Sequence, residues 1–130
     1  DFSVQRDDAQ DAKKAFGRAD EALDKGYSIA ISPEGGTSKN PPNLRNFKSG
    51  AFRLAIQHQV PILVLTMYDN WRIMPSNGVA KGPHISRVKI HTPIETKGMK
   101  LEDYRSLSDK VYQLMQTDLQ EAFPKEMQAD

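Results

Sequence analysis

The chain has 130 residues, with 18 Lys plus Arg set against 17 Asp plus Glu for a formal net charge of +1, and one compact domain of this size buries roughly two thirds of the surface its unfolded chain exposes. So balanced a charge provides no long-range field of one sign, and nucleic acid is not expected as a partner. Cysteine is absent, which removes disulfides, thiolate nucleophiles and Cys-based metal sites, and the longest apolar run, Val60 to Leu65, contains Pro61 and falls far short of the roughly twenty residues of a membrane span.

Phe2-Ser3-Val4 alternates apolar and polar and reads as the end of a strand, with no apolar stretch of the kind a signal peptide carries. The opening on Asp1 without a methionine suggests that a longer protein continues upstream. Asp7 or Asp8 is a plausible cap for a helix over 9–25, whose Ala12, Ala15, Phe16, Ala19 and Leu23 share one face and which Gly26 closes. Ser28 to Ser32 is a β-branched run expected as a buried strand. Pro33 to Asn46, with three prolines and two glycines, is a loop at that strand's end. A helix from Gly50 to His58, capped by Ser49, and an apolar strand over 62–65 follow.

Tyr68 to Pro83 is irregular, and 85–92 is expected as a strand near the sheet edge, with Arg87, Lys89 and His91 on a wet face. Leu101, Tyr104, Leu107, Val111, Leu114 and Met115 place an amphipathic helix over 102–122. Alternating strands and helices predict an α/β fold, a mostly parallel sheet with helices packed on its faces.

The stretch Ser32-Pro33-Glu34-Gly35-Gly36-Thr37-Ser38 sets a carboxylate, two glycines and two hydroxyls after a predicted parallel strand, the edge where open α/β sheets bind ligands. Glycines let the backbone approach an oxyanion, and Thr37, Ser38 and Lys39 can donate to one. Read blandly, the same residues are a Pro-Gly turn with a solvated glutamate. A hydrolase would need Ser38 or Ser49 as nucleophile, and neither lies in a G-x-S-x-G elbow. His58, His84 and His91 have no metal-ligand spacing with acidic residues, so no metal is predicted, and structural roles are expected for all three. Tyr68 and Trp71 either line a pocket or cover the sheet end, and with Met67 and Met74 they form a candidate membrane-facing patch.

Ser-Pro-Glu-Gly at 32–35, Phe47-Lys48-Ser49-Gly50-Ala51-Phe52 and Val60-Pro61-Ile62-Leu63-Val64 resemble, in order and spacing, the glycerolphosphate and lysophosphatidic acid acyltransferases of the PlsC type. Phe2-Ser3-Val4-Gln5-Arg6 is similar to that family's second block. The resemblance covers about the first seventy residues and implies that residues 1–130 are the C-terminal portion of one acyltransferase domain. It further implies that Arg6 holds the acceptor's phosphate, that Glu34 and Gly35 bind the acceptor, and that Gly36, Thr37, Ser38 and Lys48 complete the substrate site. The implied partners are a lysophospholipid acceptor, acyl-CoA or acyl carrier protein as donor, and the cytoplasmic side of a membrane. No cofactor beyond the acyl carrier is implied.

Two departures stand out. Gly36 and Thr37 stand where the family usually has Thr-Arg, removing one cation for which Lys39 is a candidate replacement whose direction the sequence does not give. The family's catalytic histidine, followed five positions on by aspartate, does not occur; Leu63, Lys89 and Thr96 stand at that distance from the three histidines. The catalytic pair is therefore expected upstream, with this segment inactive alone. The alternative expectation is a non-catalytic anion- or partner-binding domain that has kept the phosphate loop.

Overall fold

The computed structural model describes residues 9–75, 78–80, 82 and 85–128. Phe2 to Val4, the predicted strand end, lie outside these. Helix α1 (Ala9–Asp24) forms where the apolar spacing places it. It ends at Gly26, whose φ of 82° is left-handed. There the Tyr27 amide donates to the Ala22 carbonyl (3.0 Å) and the Gly26 amide to Leu23 (2.9 Å), the nested pair that closes a helix on glycine.

Helix α2 (Gly50–His58) buries Phe52, Leu54, Ala55 and Ile56. Ser49 holds the N-cap position without the expected side-chain cap bond. Its φ and ψ of −73° and −18° are already helical, so its hydroxyl is not turned back toward the first amides as a capping residue's is. At the other end Gln59 adopts a left-handed φ of 52°. Its amide side chain offsets that strain: Nε2 donates to the carbonyls of Ile56 (2.7 Å) and Met99 (3.1 Å), and Oε1 accepts from the Gly98 amide (2.7 Å). Gln59→Ala keeps the strain and loses these bonds, so a stability loss of about 1–2 kcal/mol is expected from urea midpoints. Gln59→Gly should lose less, because glycine tolerates the backbone. An alanine variant as stable as the parent would refute this account.

The sheet corrects the expected architecture. In place of a mostly parallel sheet with helices on its faces, the described residues form a two-stranded antiparallel sheet of β1 (Leu65–Met67) and β2 (Val88–Ile90). The register pairs Leu65 with Ile90, Thr66 with Lys89 and Met67 with Val88, and an isolated bridge joins Ile62 to Ile94. Parallel neighbours need a long crossover, usually a helix that carries the chain back across the sheet. Between β1 and β2 the helix α3 (Asn70–Ile73) is a single turn, and the chain returns antiparallel. Residues 28–32 form no strand among the described residues, and Ile31 is exposed. Their β-branched side chains favour extended backbone, but a strand also needs a paired neighbour.

A turn of 3-10 helix (Leu101–Asp103) leads into α4 (Tyr104–Ala122), and the Asp103 carboxylate accepts the Lys100 amide at this entry (2.7 Å). The core gathers Phe52 and Ile56 from α2, Val64 and Ile94 from the sheet region, and Leu107 and Val111 from α4. Phe47 stacks on Phe52 (centroids 6.1 Å apart) and meets Tyr112 edge-on (5.1 Å), so the chain just before α2 is anchored to this core.

The predicted alternation of a covered apolar face with a wet polar one is not seen in β2, where Val88, Lys89 and Ile90 are all exposed. Ile90 is 68% exposed and Val88 and Met67 are also open, whereas Thr66 is fully buried. The His91 side chain, expected on a wet face, is only 10% exposed. Helix α4 brings Asp118 to Lys89 and His91, so the polar side chains of this segment are the ones tied to the helix.

Candidate functional site

The segment from Pro33 to Lys48 folds back on itself. At its base the Lys48 amide donates to the Pro33 carbonyl (2.8 Å). At its tip the Asn43 amide donates to Asn40 (3.0 Å) around a cis Pro41–Pro42 peptide, and the Ser38 hydroxyl donates to the Asn43 carbonyl (2.6 Å). Midway, Glu34 Oε2 accepts the backbone amide of Arg45 (2.8 Å), and the Arg45 guanidinium reaches back to the Thr37 carbonyl (3.5 Å). The two limbs, 33–38 and 43–48, are thus joined at several levels, and Phe47 pins the second limb to the core.

The backbone requires glycine at 35, and at 36 the absence of a side chain makes room for the end of a flexible arginine. Gly35 turns with φ of 62°, and a β-carbon there would lie 2.9 Å from Lys48 Cε. A β-carbon at Gly36 would run into the Arg45 guanidinium. Two cationic side chains therefore lie against two adjacent residues that have no side chain of their own. Among the described residues neither Arg45 nor Lys48 has a carboxylate within ion-pair distance. Cations gathered on open backbone without an acidic partner suit an anionic ligand.

Of the residues singled out from sequence, Glu34, Gly35, Gly36, Thr37, Ser38 and Lys48 come together in this loop, and Arg6 lies outside the described residues. Lys39, the candidate for the missing cation, is exposed at the loop's far end. Arg45 reaches Gly36 and Thr37 instead, and sequence reasoning missed it. The available signal was Asn40-Pro41-Pro42-Asn43, a turn that sends the chain back along its own path and sets Arg45 opposite Glu34.

The histidines have other partners. His58 Nε2 lies 2.6 Å from Asp20 and Nδ1 3.4 Å from Asp24, which ties α2 to α1. His91 Nε2 lies 2.7 Å from Asp118, and His84 is outside the described residues. No group of three His, Cys, Asp or Glu that could hold a metal is found among the described residues. None of their helices is long and apolar enough to cross a membrane.

Two buried carboxylates not anticipated from sequence organise the far side of the molecule. Asp69 accepts the Arg87 amide (2.9 Å) and both Nε and Nη2 of its guanidinium (2.8 Å each), together with the Arg72 guanidinium. The Arg87 hydrogen bonds hold the Asp69 carboxyl well below the usual carboxylate range against the opposing effect of burial. For Asp118 burial is the largest single influence and raises the pKa, but hydrogen bonds from Lys89, Thr66 and His91 together keep it lowered. Trp71 meets Phe123 edge-on (5.5 Å), beside the end of α4, and Arg87 lies over the Tyr68 ring (5.5 Å).

A cleft of about 600 Å³ lies between α1 and residues 27–30, and another of about 390 Å³ beside Lys89, His91 and Asp118. None of the residues predicted for the site lines either cleft.

The acyltransferase family profile matches residues 2–68. The chain is 32% identical over 97 residues to 1-acyl-sn-glycerol-3-phosphate acyltransferase alpha of Ovis aries, a match covering 73% of this chain and 33% of that protein. It is 36% identical over 93 residues to a chloroplastic 1-acyl-sn-glycerol-3-phosphate acyltransferase of Brassica napus, covering 70% of this chain and 26% of that one. An uncharacterised acyltransferase of Schizosaccharomyces pombe is 33% identical over 108 residues, 80% of this chain and 38% of its own. The matched part is thus little more than a third of these relatives' length at most. No solved structure gives a significant match.

Proposed function

From the premise that this chain belongs to the acyltransferase family that includes the 1-acyl-sn-glycerol-3-phosphate acyltransferases, we propose that the whole protein moves a fatty acyl group from a thioester to the hydroxyl of a lysophosphatidate-like acceptor. The donor is acyl-CoA or acyl carrier protein, and the product is a phosphatidate-like lipid made at the cytoplasmic side of a membrane. In the reaction the acceptor oxygen attacks the thioester carbonyl, the carbon–sulfur bond breaks, and the sulfur leaves as the free thiol with a proton. The base that takes the hydroxyl proton is a histidine outside these 130 residues. The loop's task is to hold the acceptor, with Arg6 and Lys48 on its phosphate and the turn from Glu34 to Ser38 providing the open backbone. Such positioning turns an encounter into a near-unimolecular step.

The observation that supports this reading best is the loop itself. Within the matched residues, Lys48 crosses Gly35 with no carboxylate partner among the described residues, beside a backbone turn that a side chain would block. The test is thiol release from a long-chain acyl-CoA by the full-length protein, with and without lysophosphatidate, and with an acyl carrier protein donor in parallel. Acceptor-dependent release that falls about tenfold in Lys48→Ala, the effect of one charge-assisted contact, is expected. A folded protein that releases no thiol with either donor would overturn the reading and favour an anion- or partner-binding role.

A further inference from the structure

Arg45 has no place in the sequence blocks that carry the family resemblance, yet it is the side chain drawn most closely onto the Gly-Gly turn. Its guanidinium occupies the space over Gly36 and bonds the Thr37 carbonyl at 3.5 Å, while its backbone amide is fixed by Glu34 Oε2 at 2.8 Å. We propose that Arg45 is the specificity-determining cation of this site, binding the acceptor's phosphomonoester, and that Glu34 is the positioning residue that sets it there. The inference rests on the acyl-acceptor reading above and adds to it which residue reads the headgroup.

Three observations carry the assignment. Arg45 has no carboxylate partner among the described residues, so its charge is uncommitted. The planar fork of N–H donors that lets arginine grip two oxygens of one phosphate belongs to guanidinium and not to ammonium, which separates its role from that of Lys48. Finally, the Glu34 carboxylate meets the backbone of Arg45, eleven residues away, so removing it releases the limb that carries the cation. One Glu34 oxygen is thereby used inside the protein to shape the loop.

The consequences separate a positioning glutamate from one that touches substrate. With lysophosphatidate as acceptor, Arg45→Ala should raise KM about 10- to 100-fold, the effect of losing a charge-assisted pair, and alter kcat much less. Arg45→Lys should recover only part of this, and monoacylglycerol, which lacks the phosphate, should be used equally poorly by all three proteins. Glu34→Ala should raise KM similarly, and the Glu34→Ala/Arg45→Ala double variant should be no worse than either alone. Glu34→Gln keeps an oxygen that can accept the Arg45 amide, so its KM should return to within a few-fold of the parent.

Calorimetric titration of the full-length protein with sn-glycerol 3-phosphate, and separately with inorganic phosphate, gives a second readout that needs no turnover. Binding of glycerol 3-phosphate that weakens at least tenfold in Arg45→Ala supports the inference even if no acyl transfer is seen, an outcome that would remove only the proposed reaction. Equal affinity for inorganic phosphate and glycerol 3-phosphate would assign the site to the bare anion, contrary to a headgroup role. Unchanged affinity and KM in Arg45→Ala, or no binding by the parent protein, overturns the inference.

Discussion

Replacing Asp69 with alanine is expected to destabilise the protein by about 3 kcal/mol, within the range for stripping a buried carboxylate from its cationic partners. The side chain is 1% exposed and gathers Arg87 and Arg72 from opposite ends of the connection between β1 and β2. Both guanidinium groups also lie over the Phe123 ring, at 5.9 and 5.0 Å, so the carboxylate fixes the packing beneath the end of α4 as well. Because the folded state lowers the Asp69 pKa, the unfolded chain takes up this proton first as the solution is acidified. Its stabilising effect is complete above the ordinary carboxylate range and is lost progressively as pH falls from about 4 toward the lower folded value. Urea unfolding at pH 7 and pH 3 tests both parts: the gap between parent and Asp69→Asn should be wide at pH 7 and narrower at pH 3. A gap of constant width would show that the carboxylate charge is not what matters.

Asp118→Ala should have an effect of similar size, again about 3 kcal/mol, for a different reason. Asp118 is 4% exposed and accepts bonds from Thr66 Oγ1 (2.7 Å), Lys89 Nζ and His91. Thr66 is wholly buried and the His91 ring nearly so, and once the acceptor goes these two polar groups keep only each other, at 3.1 Å, as a hydrogen-bond partner in place of the carboxylate. The discriminating comparison is the triple variant Asp118→Leu, His91→Leu, Thr66→Val, which removes those two groups too. It should recover most of the lost stability, since apolar replacement of a complete buried polar network is often nearly neutral. Thermal unfolding of both variants decides the point: a triple variant worse than the single would mean that the network contributes more than it costs to bury.

The elements that the sequence revealed best are those set by local rules. Helix α1 followed its apolar spacing to a glycine stop, and α2 and α4 fell where Phe52, Leu107 and Val111 recur. The sheet was misjudged because pairing is not a local property. The run at 28–32 has strand-like side chains whether or not a neighbour is present, and the alternation of strand and helix was taken to imply parallel crossovers that the single turn of α3 does not provide. In β2 the alternating side chains did not give alternating burial, since all three residues are exposed, and alternation could not say which side α4 would approach. That was decided by Asp118, which continues the apolar stripe of α4 seven residues after Val111 and so carries a charge into the packed face. Here the sequence held a clue, an acid at a stripe position. The loop residues were found from their types, whereas Arg45 depended on the return path after Pro42, which the Asn40-Pro41-Pro42-Asn43 turn signals without giving its register.

The bond from the Arg45 amide to Glu34 also bears on how quickly the loop can respond. A phosphate site assembled from a slack sixteen-residue segment would lose much of its gross attraction to ordering that segment at every encounter. Here the two limbs are already laced together by the protein's own groups, so that ordering is completed once, when the chain folds. On the acceptor role proposed above, an arriving headgroup would meet a socket of fixed shape, and selectivity would follow from fit at first contact instead of from a later rearrangement.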